Sequence, residues 1–277
     1  MATPRLAVLR LRGVDGGPLR VDVRSGGAPG ERRPAVVICH GFKGFKDWGF
    51  FPRAAERLAT AGFAAWSFNF SGSGVGEDGE TFGELDRWAR QTLTGDLADL
   101  ATVVDRAVEE GAPWVGLLGH SRGGATALLQ AARDARIRAL VTWAAVDGFD
   151  RWPAEEIDRW RRDGTIDVVN LRTGQRLPLG LDLLDDLDRH RTGVLDIGAA
   201  ASSLRIPWLI VHGSADESVP FAAGQALHRA SRSAGSEFLE VAGAGHTFGV
   251  RHPWSGSTPE FDRVLERTVE FFAAALE

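Results

Sequence analysis

A serine, an aspartate and a histidine in this chain have the types and the order that nucleophilic acyl transfer needs. Ser121 lies in "GHSRG", between a short apolar run, "WVGLLGH", and an Ala/Leu-rich stretch, "GGATALLQAAR". This is the G-x-S-x-G form in the context that gives it meaning: a strand before it and a helix after it. Small neighbours let the chain turn sharply around one exposed side chain, and the helix N-terminus favours negative charge developing nearby. A serine that merely caps the helix is the plainer alternative. A hydroxyl attacks a carbonyl only if a base takes its proton. Of the seven histidines, His246 in "VAGAGHTFG" is best placed, in a small-residue loop after the last predicted strand. His252 in "VRHPW" is its rival. His190 and His228 read as surface residues and His212 as structural. The acid that orients the base falls between nucleophile and base in the chain. Asp216 in "VHGSADESVP" fits that place, and its neighbour Glu217 fits less well. Asp147 and Asp150, after an earlier strand, are the alternative pair, and any such aspartate can instead serve a turn.

The negative charge formed on a carbonyl oxygen needs two backbone N–H donors. Arg122, directly after the serine, supplies one. Phe42 in "CHGFKGFKDW" is the expected second, with Gly41 allowing the backbone to turn. Alone, "HGF" would be a plain strand-ending turn. His40 and His120 each precede a site residue and read as packing or supporting side chains. The glycine-rich "GSGVGEDG" lacks the Lys-Ser/Thr of a phosphate loop and the G-x-G-x-x-G register of a dinucleotide loop.

These residues need elements to carry them. "RLAVLRLR" and "PLRVDVRS" alternate and read as antiparallel strands joined by "GVDGG". "PAVVICHG" is a continuous apolar run, the mark of a strand buried on both faces. Helix "FFPRAAERLATAG", strand "FAAWSFNF" and helix "LTGDLADLATVVDRAVEEGA", with an Asp-rich polar face, follow. Then come the strand and helix around Ser121 and the strand "RALVTWAAV". This rhythm predicts a mostly parallel sheet covered on both faces. It breaks over residues 147–206, a charged insertion with one predicted hairpin, "TIDVVNLRTGQRLPL", turning at Gly174. It resumes with strand "PWLIVHG", a helix from about Phe221, strand "EFLEVAG" and a closing helix from about Pro259. The expected organisation is a single unit over 1–277 with the insertion inside it.

Composition limits the functional classes. The net charge of −5 gives no case for nucleic acid or an acidic membrane, and Cys39 as the sole cysteine excludes an intrachain disulfide or a multi-cysteine metal site. No run approaches the ~20 apolar residues of a membrane span, and the N-terminal residues lack the apolar core of a signal peptide. A cytoplasmic protein without metal or organic cofactor is the expectation.

Taken in order, "HGFKGFKDW", "FNFSGSGVGE", "GHSRGG", "HGSADESVP" and "GAGHTF" resemble the α/β-hydrolase fold superfamily. More narrowly they resemble its cinnamoyl/feruloyl-esterase-like branch and, in turn, the prolyl-oligopeptidase-like hydrolases. The resemblance implies a Ser121–His246–Asp216 triad, an oxyanion hole at Phe42 and Arg122, and an insertion that caps the sheet edge. It also implies a small ester substrate. Arg122 stands where those esterases carry Gln. Phe149, Trp152, Ile157, Trp160 and the leucines of "LPLGLDLL" are expected to face the pocket, unless they bury against the core. An amide hydrolase of aminopeptidase type, using Asp147, Asp150, Glu155 and Glu156 to hold a substrate amine, is the alternative. A non-catalytic receptor on the same fold is another.

Overall fold

The computed structural model describes residues 3–27 and 31–275; residues 1–2, 28–30 and 276–277 of the expected unit lie outside the described residues. The opening strands form as expected, β1 (Arg5–Arg12) and β2 (Pro18–Ser25), paired antiparallel. The buried apolar run is β3 (Ala35–Cys39), followed by α1 (Phe51–Thr60), β4 (Ala64–Phe68), a short α2 (Leu85–Ala89) and α3 (Leu93–Glu109). Ser121 separates β5 (Val115–His120) from α4 (Arg122–Ala131), and β6 (Ile137–Trp143) closes this half. The insertion holds α5 (Ala154–Asp163), β7 (Thr165–Val169), β8 (Arg176–Gly180), α6 (Asp182–His190) and α7 (Ile197–Ser203). The chain then completes β9 (Trp208–Gly213), α8 (Phe221–Ala230), β10 (Ser236–Val241) and α9 (Pro259–Ala274).

Eight strands make one sheet in the order β1-β2-β4-β3-β5-β6-β9-β10. From β4 to β10 every pairing is parallel, so the strands point one way. All residues of β3, β5 and β9 are buried, as continuous apolar runs require when helices cover both faces. Apolar side chains of α1 and α9 form the core on one face, and those of α3, α4 and α8 the core on the other. Among the described residues no helix is long and apolar enough to cross a membrane.

The predicted hairpin is β7–β8, with Gly174 left-handed at φ 73° in its turn. The three helices around it were not legible in the charged text, because what they pack on is distant in the chain for two of them: α5 lies on β7, but α6 lies on α3 and α7 on α4 and α8. A second departure concerns α3. Asp96 and Asp99 do not lie on a solvated polar face; both are buried. Asp99 accepts hydrogen bonds from the Val14 and Ser71 N–H groups, and Asp96 faces Arg122. Carboxylates lower a helix face into the interior only when such donors meet them.

Candidate active site

The C-terminal ends of β3, β5, β9 and β10 lie along one sheet edge, and each carries a candidate residue. After β5 the chain turns so tightly that Ser121 is held at φ 55°, ψ −124°. A non-glycine residue there costs about 1–3 kcal/mol, which the surrounding packing must supply. The turn is fixed by Ser121 N–H donating to the Trp143 carbonyl at 2.9 Å. The glycines allow close approach. A Cβ on Gly123 would lie 2.3 Å from the His40 carbonyl oxygen, and one on Gly119 would lie 2.3 Å from that of Gly123. The Ser121 hydroxyl makes no capping bond to α4, so the helix-cap alternative does not describe it.

After β9 the side chain of Asp216 is fully enclosed, yet every oxygen has donors. Its Oδ1 accepts from the Ser218 and Val219 N–H groups, both at 2.8 Å. Its Oδ2 accepts from His246 Nδ1 at 2.8 Å and lies 3.4 Å from His212 Nε2. Burial pushes its pKa up, but hydrogen bonds from His212, His246 and the Val219 N–H outweigh this and hold it well below the usual carboxylate range. The bond to Asp216 commits Nδ1 of His246 as donor and leaves Nε2 as the basic nitrogen. Ser121 and His246 line the same cavity, though no hydrogen bond joins Ser121 Oγ to the ring among the described residues. Such bonds often tighten only around substrate.

The rivals are elsewhere. His252 accepts from the Gly49 N–H and packs between Phe45 and Trp48. Asp147, Asp150, Glu155 and Glu156 do not line the cavity, and Asp150 pairs with Arg191. His40 and His120 are buried beside the site. His40 donates from Nδ1 to the Gly41 carbonyl and accepts the Phe70 N–H at Nε2, while His120 donates to the His246 carbonyl. Burial lowers their pKa values to about 4 and about 3, so both are neutral scaffolding.

The loop after β3 runs directly against Ser121: a Cβ on Gly41 would lie 2.9 Å from that of Ser121. A Gly44 N–H to Gly41 carbonyl bond closes a tight turn, and the N–H groups of Phe42 and Arg122 have no partner among the described residues. Two free donors beside a nucleophile have the form of an oxyanion hole. The side chain of Arg122 is fully occupied in another way. It donates to Gln91 Oε1 at 2.7 Å, lies 3.3 Å from Asp96 and sits 4.9 Å from the centre of the Phe42 ring. Phe42 also stacks on Trp88. Sequence reasoning missed Gln91 and Asp96, whose roles require an arginine buried at the elbow.

The cavity measures about 380 Å³ and is lined by Phe42, Phe149, Trp152 and three leucines of α6, among others. Phe149 and Trp152 stand where expected. Trp160 does not: it is fully buried, supports Trp152 from behind at 5.2 Å between ring centres, and cannot touch a ligand. Trp152 precedes α5, whereas Trp160 lies within it as the helix's buried residue, on the core-facing side. Ile157 also packs inward, and Leu177 and Leu179 are enclosed, whereas Leu183 and Leu184 reach the cavity.

A mostly parallel sheet with a strained serine elbow, and an Asp-oriented histidine at the same edge, is the architecture of the α/β-hydrolase superfamily. The chain has the α/β-hydrolase fold, on which it superposes over nearly its whole length. The family described as "Serine aminopeptidase, S33" matches residues 30–160. The chain is 27% identical over 208 residues to 2,6-dihydropseudooxynicotine hydrolase of Paenarthrobacter nicotinovorans, covering 74% of this chain and 50% of that protein. It is 25% identical over 245 residues to an uncharacterized 31.7 kDa protein of Escherichia coli, covering 78% of this chain and 84% of the other. Among solved structures, Est1E of Butyrivibrio proteoclasticus with ferulic acid bound superposes with a TM-score of 0.76 at 22% identity, over 97% of this chain and 99% of that one.

Proposed function

We propose that this protein is a serine carboxylesterase acting on small esters through an acyl-enzyme. The observation that carries the reading is the 2.8 Å bond from His246 to a buried, fully donated Asp216, at the rim of the cavity that Ser121 enters. Ser121 Oγ attacks the ester carbonyl while His246 Nε2 takes its proton. The oxygen that becomes negative is met by the Phe42 and Arg122 N–H groups. As the tetrahedral intermediate collapses, the C–O bond to the alcohol breaks and His246 returns the proton to the leaving oxygen. Water, deprotonated by His246, then attacks the acyl-serine and releases the acid and Ser121.

The insertion acts as the cap of this site. Aromatic and leucine walls around about 380 Å³ favour an acyl group of modest size, aromatic or short-chain. The aminopeptidase named in the matching family would need an acid to hold the substrate amine, and no Asp or Glu lines the cavity among the described residues. This favours ester over aminoacyl amide.

A fluorophosphonate probe followed by a substrate panel tests the reading. Labelling at Ser121 is expected, with hydrolysis of p-nitrophenyl acetate, p-nitrophenyl butyrate and methyl cinnamate. An unlabelled Ser121 points to a receptor, and preference for aminoacyl anilides over every ester points to the peptidase.

A further inference from the structure

Apart from Ser121, His246, Ser218 and the paired Arg122, the cavity walls among the described residues are apolar with two exceptions, and both are cations. Lys43 enters from the loop after β3 and Arg151 from the start of the insertion. Neither has a carboxylate partner among the described residues. Lys43 donates to the Val169 carbonyl at the edge of the hairpin, and Arg151 donates to the Ser218 carbonyl in the loop that carries Asp216. These main-chain contacts use one ammonium proton and one guanidinium proton, so each group keeps donors for a ligand.

The imbalance is local. The chain has 37 acidic residues against 32 Lys and Arg, yet no acid lines this cavity among the described residues. The third cation there, Arg122, is matched by Asp96 and Gln91. Lys43 also occupies a costly place. Its φ of 58° is left-handed, in a turn flanked by Gly41 and Gly44, where a third glycine would be free of strain. Half-burial disfavours its charge and lowers its pKa. A ligand anion would relieve that penalty.

We propose that the substrate carries a carboxylate in addition to the ester bond that is cleaved, and that Lys43 and Arg151 bind it. The inference rests on the esterase reading and names its substrate class. The two cations stand on separate loops that line the same cavity as Ser121, so an anion held by them fixes the ester along the cavity, with its carbonyl at the serine. Charge-assisted bonds in an apolar setting are worth more than the same bonds in water. The neutral ester of the same shape then loses both the attraction and the orientation.

Binding is measured by calorimetry on Ser121→Ala, with monomethyl adipate and dimethyl adipate as probes that differ by one charge. The monoanion is expected to bind at least ~10-fold tighter, and less tightly as salt rises. Lys43→Met or Arg151→Met, added to Ser121→Ala, is expected to reduce that preference several-fold, with circular dichroism confirming the fold. Equal affinity for the two probes, no detectable binding of the monoanion, or a preference unchanged in both variants overturns the proposal. Hydrolysis by the native protein is scored separately with p-nitrophenyl butyrate. The anion site can therefore fail while the esterase reading stands, and the reverse result is equally visible.

Discussion

Asp216 has no unused oxygen. Two main-chain donors hold Oδ1, and two imidazoles address Oδ2, so the carboxylate cannot rotate away from His246. Asp216→Asn would replace Oδ2 with either an amide N–H2 facing the ring or a disrupted loop. On the proposed mechanism kcat falls by ~10³–10⁴, because the ring is then held in the wrong tautomer. Steady-state kinetics on a p-nitrophenyl ester checks this, and near-native turnover would return the acid to Asp147 or Asp150. Ser121→Ala is expected to lower turnover by ~10⁴-fold or more while keeping the fold, since its hydroxyl makes no bond that supports α4. His252→Ala should retain activity that His246→Ala loses.

Elements matter here through how closely they approach. Helix α4 meets β3 across Gly123, where an added Cβ would strike two main-chain carbonyl oxygens, of His40 and Cys39, that cannot move without breaking the sheet. Gly123→Ala is expected to cost about 3 kcal/mol. Gly148→Ala, with nothing within 4 Å of the new methyl, should stay within about 0.5 kcal/mol of the native protein. Chemical denaturation of the pair separates crowding from any general effect of replacing glycine. In the insertion, Trp152 and Trp160 touch each other but meet different surroundings. Trp160→Ala opens a cavity in packed structure and should cost about 3–5 kcal/mol. Trp152→Ala, at the cavity wall, should act mainly on kcat/KM. If Trp160→Ala left the melting temperature unchanged, the inward placement of α5 would be wrong.

At the scale of the whole molecule, the buried groups His40, His120 and Asp96 are among those that tie stability to pH. His40 and His120 have folded-state pKa values of about 4 and about 3, below their ordinary 6.5, so the unfolded chain binds more protons. Their contribution is present above pH 6.5 and is lost as pH falls through 6.5 toward those values. Asp96 runs the other way. Burial, opposed by Arg122, raises its pKa to about 7 from 3.8, so its contribution is present below 3.8 and is lost as pH rises toward 7. Denaturation between pH 4.5 and 7.5 should therefore give a flatter acid limb for His120→Gln and a steeper one for Asp96→Asn. Identical slopes in all three proteins would mean that these groups titrate normally in the fold.

The strand-helix rhythm and the elbow were legible in sequence because they are local. A short continuous apolar run ending in glycine is typical of a covered strand, and a serine packed among glycines between such a run and a helix has few other uses. Asp216 and His246 were legible as candidates because each follows a strand of the same parallel sheet, and parallel strands deliver their ends to one edge. The sequence ranks Asp216 above Asp147 and His246 above His252 by their places after the last strands, but that the ring meets that carboxylate, at 2.8 Å, is set by the path of each loop, which only tertiary structure decides. The same holds for the buried face of α3. Its aspartates read as solvated until Arg122 and the Val14 and Ser71 N–H groups were brought to them from elsewhere in the chain. It holds also for Trp160, whose apolar side could point to ligand or to core. Sequence periodicity says that a side chain will be covered, whereas what covers it is set by the packing of elements distant in the chain.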